Sequence, residues 1–456
     1  LSCPEPSAPG WSLLCGGFMH LHLSTRCGRR LALALTLLAV IRPAWAESAP
    51  ALSLQEALAL AAARSADAET SRSAVQSAIE MAVAGRQMPD PVLKVGVNNV
   101  PANGPDRFSL GTDSMTMRSV SLMQEFTRPA KRQARAERFE AEASSAEAQR
   151  MVALANVQRG TATAWLDRWY AERAHALLAE QAQSVRLLID AAQAAYRGNG
   201  GNRGSRAEIL AARIESQQLQ DREDEARAAV ASSRAMLRRW VGDAAALPLA
   251  ERPALDAPAW LDNLDDAGAT QLPDVAAAQA QAGVAQAESR VARENKVPDL
   301  SVELMYSQRG PAYSNMVSLN VSLPLPWDQE HRQDRELAAR LAQADAARAQ
   351  AESVRRGLIG QLRGKQAELQ LSHARLERYR NTTLPLAQAQ TEAALSAYRT
   401  GAGSLAAVAE ASRKALELSL ERLRLEAATA RLWAELTFLM PLPTAAQAMP
   451  PQGAQP

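Results

Sequence analysis

Val317-Ser318-Leu319-Asn320-Val321-Ser322-Leu323 is the stretch on which the reading of this chain turns. Apolar residues occupy every second position, and Ser, Asn and Ser stand between them. That is the period of a strand with one apolar and one polar face. Three other segments share it. Leu93, Val95 and Val97 alternate with Lys94, Gly96 and Asn98. Val120, Leu122 and Phe126 oppose Ser119, Ser121 and Glu125. Leu300, Val302, Leu304 and Tyr306 oppose Ser301, Glu303 and Ser307. Each run has the length of a tilted strand crossing a bilayer, and apolar-out, polar-in alternation is what a water-filled barrel requires. A half-buried soluble sheet alternates in the same way.

Around these segments the chain repeats itself. Met88-Pro89-Asp90-Pro91-Val92-Leu93 returns as Val297-Pro298-Asp299-Leu300-Ser301-Val302, and Val120-Ser121-Leu122 as Val317-Ser318-Leu319. Ala195-Tyr196-Arg197 returns as Ala397-Tyr398-Arg399, each before a Gly-rich turn. The offset of about 200 residues is too long for a solenoid unit and points to a duplicated half. Each half reads helix, strand, loop, strand, very long helix, turn, long helix.

The first helix opens on the capping-box pattern Ser53-Leu54-Gln55-Glu56 and is expected to run to Gln87, before Pro89. Its counterpart is expected from Val275 to Lys296. The segments from Phe126 to Tyr196 and from Leu323 to Tyr398, read as single helices, each span roughly 100 Å. Return helices are expected from Ser205 to Val241 and from Ser404 to Met440. The last shows a heptad-like seam of Leu416, Leu420, Leu423, Ala427, Ala430 and Ala434, the spacing of coiled-coil packing.

Composition agrees with long helices packed side by side: aromatics make up 4% of the chain. The net charge of +2 comes mostly from the front end, where Arg26, Arg29, Arg30 and Arg42 outnumber Glu5. A near-neutral remainder has no field to hold nucleic acid. Residues 1–46 read as a signal peptide region: a basic stretch, the apolar run Leu31 to Ile41, and Ala44-Trp45-Ala46 before a cut at Glu47, with Met19 as a candidate true start. Cys3, Cys15 and Cys27 all precede that cut, so the mature chain is expected to carry no disulfide, thiolate metal site or lipid anchor. No later stretch is apolar enough for a transmembrane helix. A membrane form must then be a barrel. Four strands cannot close one, since about eight is the lower limit, so chains must pool their strands.

With Leu52-Ser53-Leu54-Gln55-Glu56-Ala57-Leu58, the two Pro-Asp junctions and the turns Tyr196-Arg197-Gly198 and Tyr398-Arg399-Thr400-Gly401, the chain resembles the TolC family of outer-membrane channels from about Leu52 to Leu442. The resemblance implies a mainly α protein with a membrane β-barrel. A homotrimer would form a 12-strand barrel in outer-membrane lipid and a 12-helix periplasmic tunnel. The implied layout is a first repeat over 47–250, an equatorial linker over 251–271, a second repeat over 272–442 and a disordered tail over 443–456. Segments near Leu247–Gln271 and after Pro441 would form a belt around the tunnel's middle. The Tyr-Arg turns would lie at the tunnel tip, where the channel meets a periplasmic adaptor (membrane fusion protein). The stretch from Met88 to Asn98, with Gly104-Pro105-Asp106-Arg107-Phe108-Ser109-Leu110, Met115-Thr116-Met117-Arg118 and Met123-Gln124-Glu125-Phe126, looks like the CzcC-like and CusC-like heavy-metal channels. Those work with inner-membrane RND-type pumps, which implies passive export of Co, Zn, Cd, Cu or Ag cations. The chain departs from the family at Ser65-Ala66, where Asn-Pro is common. It departs again at the second tip, where Ala407 and Glu410 stand at positions that are both acidic in the best-known channels.

No catalytic constellation, cofactor motif or Walker loop is present, so an enzyme is not expected and any energy source lies in another subunit. His175, His331 and His373 have no partner at helical spacing. Glu410, Glu208 and Arg206 are candidates for selectivity at the tip, because a trimer turns each into a ring and carboxylate rings attract cations. Arg197, Arg399, Tyr196 and Tyr398 are candidates for holding the tip closed. Met115, Met117 and Met123 offer thioethers suited to Cu(I) or Ag(I), or simply fill gaps in a loop. The alternatives are a channel for drugs or secreted proteins and, in a different class, a periplasmic coiled-coil adaptor or scaffold.

Overall fold

Alternation and helix periodicity resolve into a sheet at one end of a set of long helices. The computed structural model describes residues 51–198, 206–261 and 266–442. All of them belong to one unit that begins at Ala51. The signal region, its cysteines and the tail lie outside the described residues.

The elements run α1 (Leu54–Arg64), α2 (Ala66–Arg86), β1 (Val92–Asn98), β2 (Met117–Phe126), α3 (Pro129–Gly198) and α4 (Arg206–Val241). After one helical turn, α5 (Asp266–Ala269), come α6 (Pro273–Asn295), β3 (Leu300–Gln308), β4 (Met316–Ser322), α7 (Gln333–Arg378), α8 (Leu384–Thr400) and α9 (Leu405–Thr437). The strands form one antiparallel sheet in the order β1-β2-β3-β4. The 70-residue α3 is unbroken and about 105 Å long. It packs on α1, α2, α4, α6 and α9. Among the described residues no helix is long and apolar enough to cross a membrane.

Two helix expectations are corrected. The first helix is two: Ser65 is extended (φ −71°, ψ 112°) and its hydroxyl accepts from the Ala68 N–H at 3.1 Å. A serine offering its own cap competes with helix continuation, so the break forms without Asn-Pro. The capping box at Ser53 and Glu56 is present as read. The second long helix starts only at Gln333: Pro324 and Pro326 keep Leu323 and Leu325 out of a helix, and residues 327–332 form a turn before it begins. It also passes through a π segment, Tyr379–Thr383, just before Pro385. Proline removes one N–H and clashes with the carbonyl four residues back, and the wider π turn absorbs that misfit.

The main core crosses the middle of α3. Trp165 and Leu166 meet Leu52, Leu237, Trp433 and Phe438 there, all buried. Irregular chain is pinned across the same level. Leu52 pairs with Leu249, and its carbonyl accepts from Trp165 Nε1 at 3.1 Å. Arg168, buried beneath, donates to the carbonyls of Ala245 and Leu247 at 2.8 and 2.9 Å. Gln158 exchanges two hydrogen bonds with the Leu442 backbone, and Trp433 Nε1 donates to Asp256. Backbone that would be orphaned in a helix-free segment is thus paired.

Tyr170 sits in this core without a hydrogen-bond partner for its hydroxyl. Burial pushes its ionisation up to about 12. An unfolded tyrosine ionises near 10, so the folded form loses stability as pH rises from about 10 through about 12. Tyr170→Phe is therefore expected to flatten the alkaline fall of the melting temperature and, since it removes a buried hydroxyl that has no partner, not to lower it near neutrality. Parallel thermal melts across that range check both.

Candidate functional site

The sheet is inside out by the standard of a soluble protein. Its register lines up Leu93, Leu122, Leu304 and Leu319 in one row across all four strands. Val95, Val120, Tyr306 and Val317 form the next row. These apolar side chains are open: Val95 is 75% exposed and Val317 72%. On the other face of the central strands, Ser121 is 5% exposed and Ser307 1%. Small polar groups are crowded and large apolar ones are not. That is the pattern of a sheet curled with its polar side inward and its apolar side toward a non-aqueous medium.

The polar face carries an ion pair that strand alternation did not flag. Lys94 on β1 reaches across β2 to Glu303 on β3 at 3.3 Å, and Ser121 between them donates to the same carboxylate at 2.6 Å. The signal was present in the parity of Lys94 and Glu303, but their pairing needed the register. Met117 and Met123 share this face, six residues apart on one strand, which is about 20 Å, so they cannot bind one ion together. Lys94 Nζ stands 3.5 Å from the Met123 sulfur. Met115 is exposed in the connecting loop. That loop is tied to the opposite one: Arg309 Nε donates to the Ser114 carbonyl at 2.9 Å. A side chain at Gly310 would meet the Gly111 carbonyl oxygen at 2.2 Å, so this crossing of two loops needs glycine.

At the far end of the helices the two hairpins pack side by side. Ile189 and Ala192 of α3, Ala212 of α4 and Leu405 of α9 form one small core, and Tyr398 lies against it. Gly401 ends α8 in the left-handed region (φ 80°), where Ala402 and Gly403 N–H groups donate to the Ala397 carbonyl. Ser404 then caps α9 by accepting from the Ala407 N–H. Tyr196 is half-buried and Arg197, in the last turn of α3, is exposed, as are Arg399 and Arg206. Glu208 is half-buried in the first turn of α4, and Glu410 is exposed two turns into α9. The structure therefore gathers the candidate tip residues at one end, with Tyr398 the one built into the packing. One ion pair, Arg413 with Glu215 at 3.7 Å, joins α9 to α4 just behind them. Among the described residues no group of three or more His, Cys, Asp or Glu could hold a metal ion.

The family described as "Outer membrane efflux protein" matches residues 269–440. No curated protein matches the whole chain or a part of it. Solved outer-membrane channels share the fold. The outer-membrane channel OprN superposes with a TM-score of 0.69 at 15% identity, over 85% of this chain and 89% of that one. The Campylobacter jejuni CmeC outer membrane channel gives 0.68 at 13%, over 85% of each chain. CusC gives 0.67 at 17%, over 85% of this chain and 92% of its own. At such identities the likeness is one of fold.

Proposed function

We propose that this chain is the outer-membrane channel subunit of a tripartite efflux system, a passive exit duct and not an enzyme. The observation that carries the reading is the inverted sheet: a face of open leucines and valines opposite a crowded polar face is what a lipid-facing barrel strand needs. The sheet also has two free edges, β1 and β4. An open edge is not viable in a bilayer, and three copies joined β4 to β1 close a barrel of adequate size. The long helices then project into the periplasm toward an adaptor and an inner-membrane RND-type pump.

Heat-modifiable migration of the outer-membrane fraction, with chemical cross-linking, tests this. A membrane-bound band near three times the mature mass that collapses on boiling is expected. A soluble periplasmic monomer would overturn the proposal and put the coiled-coil scaffold in its place.

Within this reading the cargo is a heavy-metal cation. Support comes from the resemblance of the first strand pair, Met88 to Phe126, to the CzcC-like and CusC-like channels. The fold itself carries no weight here, since OprN and CmeC superpose as well as CusC. A channel for drugs or secreted proteins is the second reading. Met115, Met117 and Met123 would act as separate weak thioether contacts for Cu(I) or Ag(I) along the exit, given their spacing. Replacing all three by Leu should raise copper and silver sensitivity if they do.

At the tip, Glu410 and Glu208 would form carboxylate rings beside Arg206. Arg197 and Arg399, with Tyr196 and Tyr398, would hold neighbouring hairpins together until the adaptor engages. Glu410→Gln is expected to weaken block of single-channel current by divalent cations while leaving trimer yield unchanged, because the side chain is exposed. Unaltered block in planar bilayers would remove Glu410 from the selectivity site.

A further inference from the structure

We infer that a groove beside Trp169, at the level of the main core, binds an acidic peptide segment of a partner protein. The inference rests on the groove itself and not on the placement of the sheet in lipid.

Four elements meet there. The groove, of about 620 Å³, is bounded by α3, α9, the irregular chain after Leu249 and the π segment before α8. Each contributes an arginine: Arg173, Arg422, Arg252 and Arg380 in that order. Trp169 is half-buried against the core, and the Arg173 and Arg252 guanidiniums lie 5.1 and 5.7 Å from its ring. One guanidinium gains from an aromatic face, but two gathered on a single indole repel each other. The chain that carries Arg252 is fixed on both sides. The Ala250 N–H donates to the Leu52 carbonyl, and Trp433 Nε1 donates to the Asp256 carbonyl. Arg380 is positioned by the π segment that precedes Pro385. Arg173, Arg252 and Arg380 have no carboxylate partner among the described residues. Arg422 has one, Glu426 at 3.5 Å, yet its Nε is covered and meets no acceptor. Guanidinium donors that converge from separate elements and lack acceptors suit an oxyanion, because the planar fork matches a carboxylate.

The acidic residues of the groove set the ligand's pattern. Glu180 and Glu251 also line it, exposed and in no ion pair among the described residues. They push off a uniformly charged polyanion. A single small anion is too short, since the groove follows α3 from Trp169 to Glu180, about 16 Å. A peptide with carboxylates at intervals meets the arginines and passes the glutamates.

The test is fluorescence anisotropy of a labelled peptide of alternating Asp and Gly, titrated with the detergent-solubilised full chain. A Lys-Gly peptide runs in parallel, and inorganic phosphate serves as competitor. The Asp peptide is expected to bind, more weakly as salt rises, and the Lys peptide not to bind. Arg252→Gln and Arg380→Gln should each weaken the Asp peptide by about tenfold, since each removes one charged donor group. Arg375→Gln, at an exposed arginine of α7 that does not line the groove, should leave it unchanged. No binding of the Asp peptide would overturn the inference, and so would equal affinity in the wild type and all three variants. Displacement by phosphate at the peptide's own concentration would make this a site for a small oxyanion and overturn the peptide assignment. Heat-modifiable migration of the same samples reads the channel separately, so failure of the groove leaves that reading standing.

Discussion

Replacing Leu304 by arginine is expected to abolish the heat-modifiable trimer. Leu304 lies in the row of four leucines, 56% exposed on the apolar face and paired with Leu122 and Leu319. In water, arginine at so open a position would change stability by no more than about 0.5 kcal/mol. At the middle of a lipid-facing band the same change costs about 2–4 kcal/mol, and in a trimer it is incurred three times. One substitution therefore separates the two readings of this sheet by its magnitude alone. Asn320→Arg is the control, on the opposite face and directly across from Glu303. There a guanidinium meets a carboxylate beside water, and the trimer should form at wild-type yield. Folding yield into lipid vesicles across a urea series measures both. A stable, water-soluble Leu304→Arg protein would mean that the apolar face never meets lipid.

How far these features were legible depended on the distance between the residues involved. The four strands were readable because period-two alternation is local, and each begins and ends within two residues of its pattern. The cap at Ser53 was readable for the same reason. Which side of the sheet faces inward was not, since a soluble sheet alternates identically. The contrast between an open Val95 and a covered Ser307 appears only once the strands are paired. Ser65 carried too weak a local signal to announce a helix break, whereas Pro324, Pro326 and Pro385 were plain in the sequence and should have shortened the second long helix. The Lys94 to Glu303 pair joins residues far apart in the chain, so only the register exposes it. The two Tyr-Arg turns look equivalent in sequence, yet Tyr398 packs against residues of both hairpins through contacts no local pattern encodes.

Asp299→Ala is expected to destabilise the junction between sheet and helices by about 3 kcal/mol, while Asp90→Ala, at the matching position of the other Pro-Asp motif, changes little. The motifs look alike, but their surroundings differ. Asp299 is held between β3 and the start of α3. Its carboxylate takes the Lys131 ammonium at 2.6 Å, and its second oxygen accepts from the Arg128 N–H at 3.4 Å. Both charged side chains are nearly covered, at 12% for Lys131 and 10% for Asp299. Removing one partner leaves a buried charge uncompensated, the case in which an ion pair matters most. Asp90 is exposed, and a surface truncation of that kind stays within about 0.5 kcal/mol. The pair should also show the asymmetry typical of buried charges: Lys131→Met with Asp299→Leu should recover most of the loss, because two apolar groups leave nothing unpaired. Arg128 works beside them, its guanidinium on the Glu294 carbonyl at 2.8 Å and on that residue's carboxylate at 3.1 Å. Together these contacts bind the end of α6 and the root of β3, from the second half, to the root of α3, from the first. Thermal dissociation of the two single variants and the double variant would show whether this clamp is a charge effect or a packing effect.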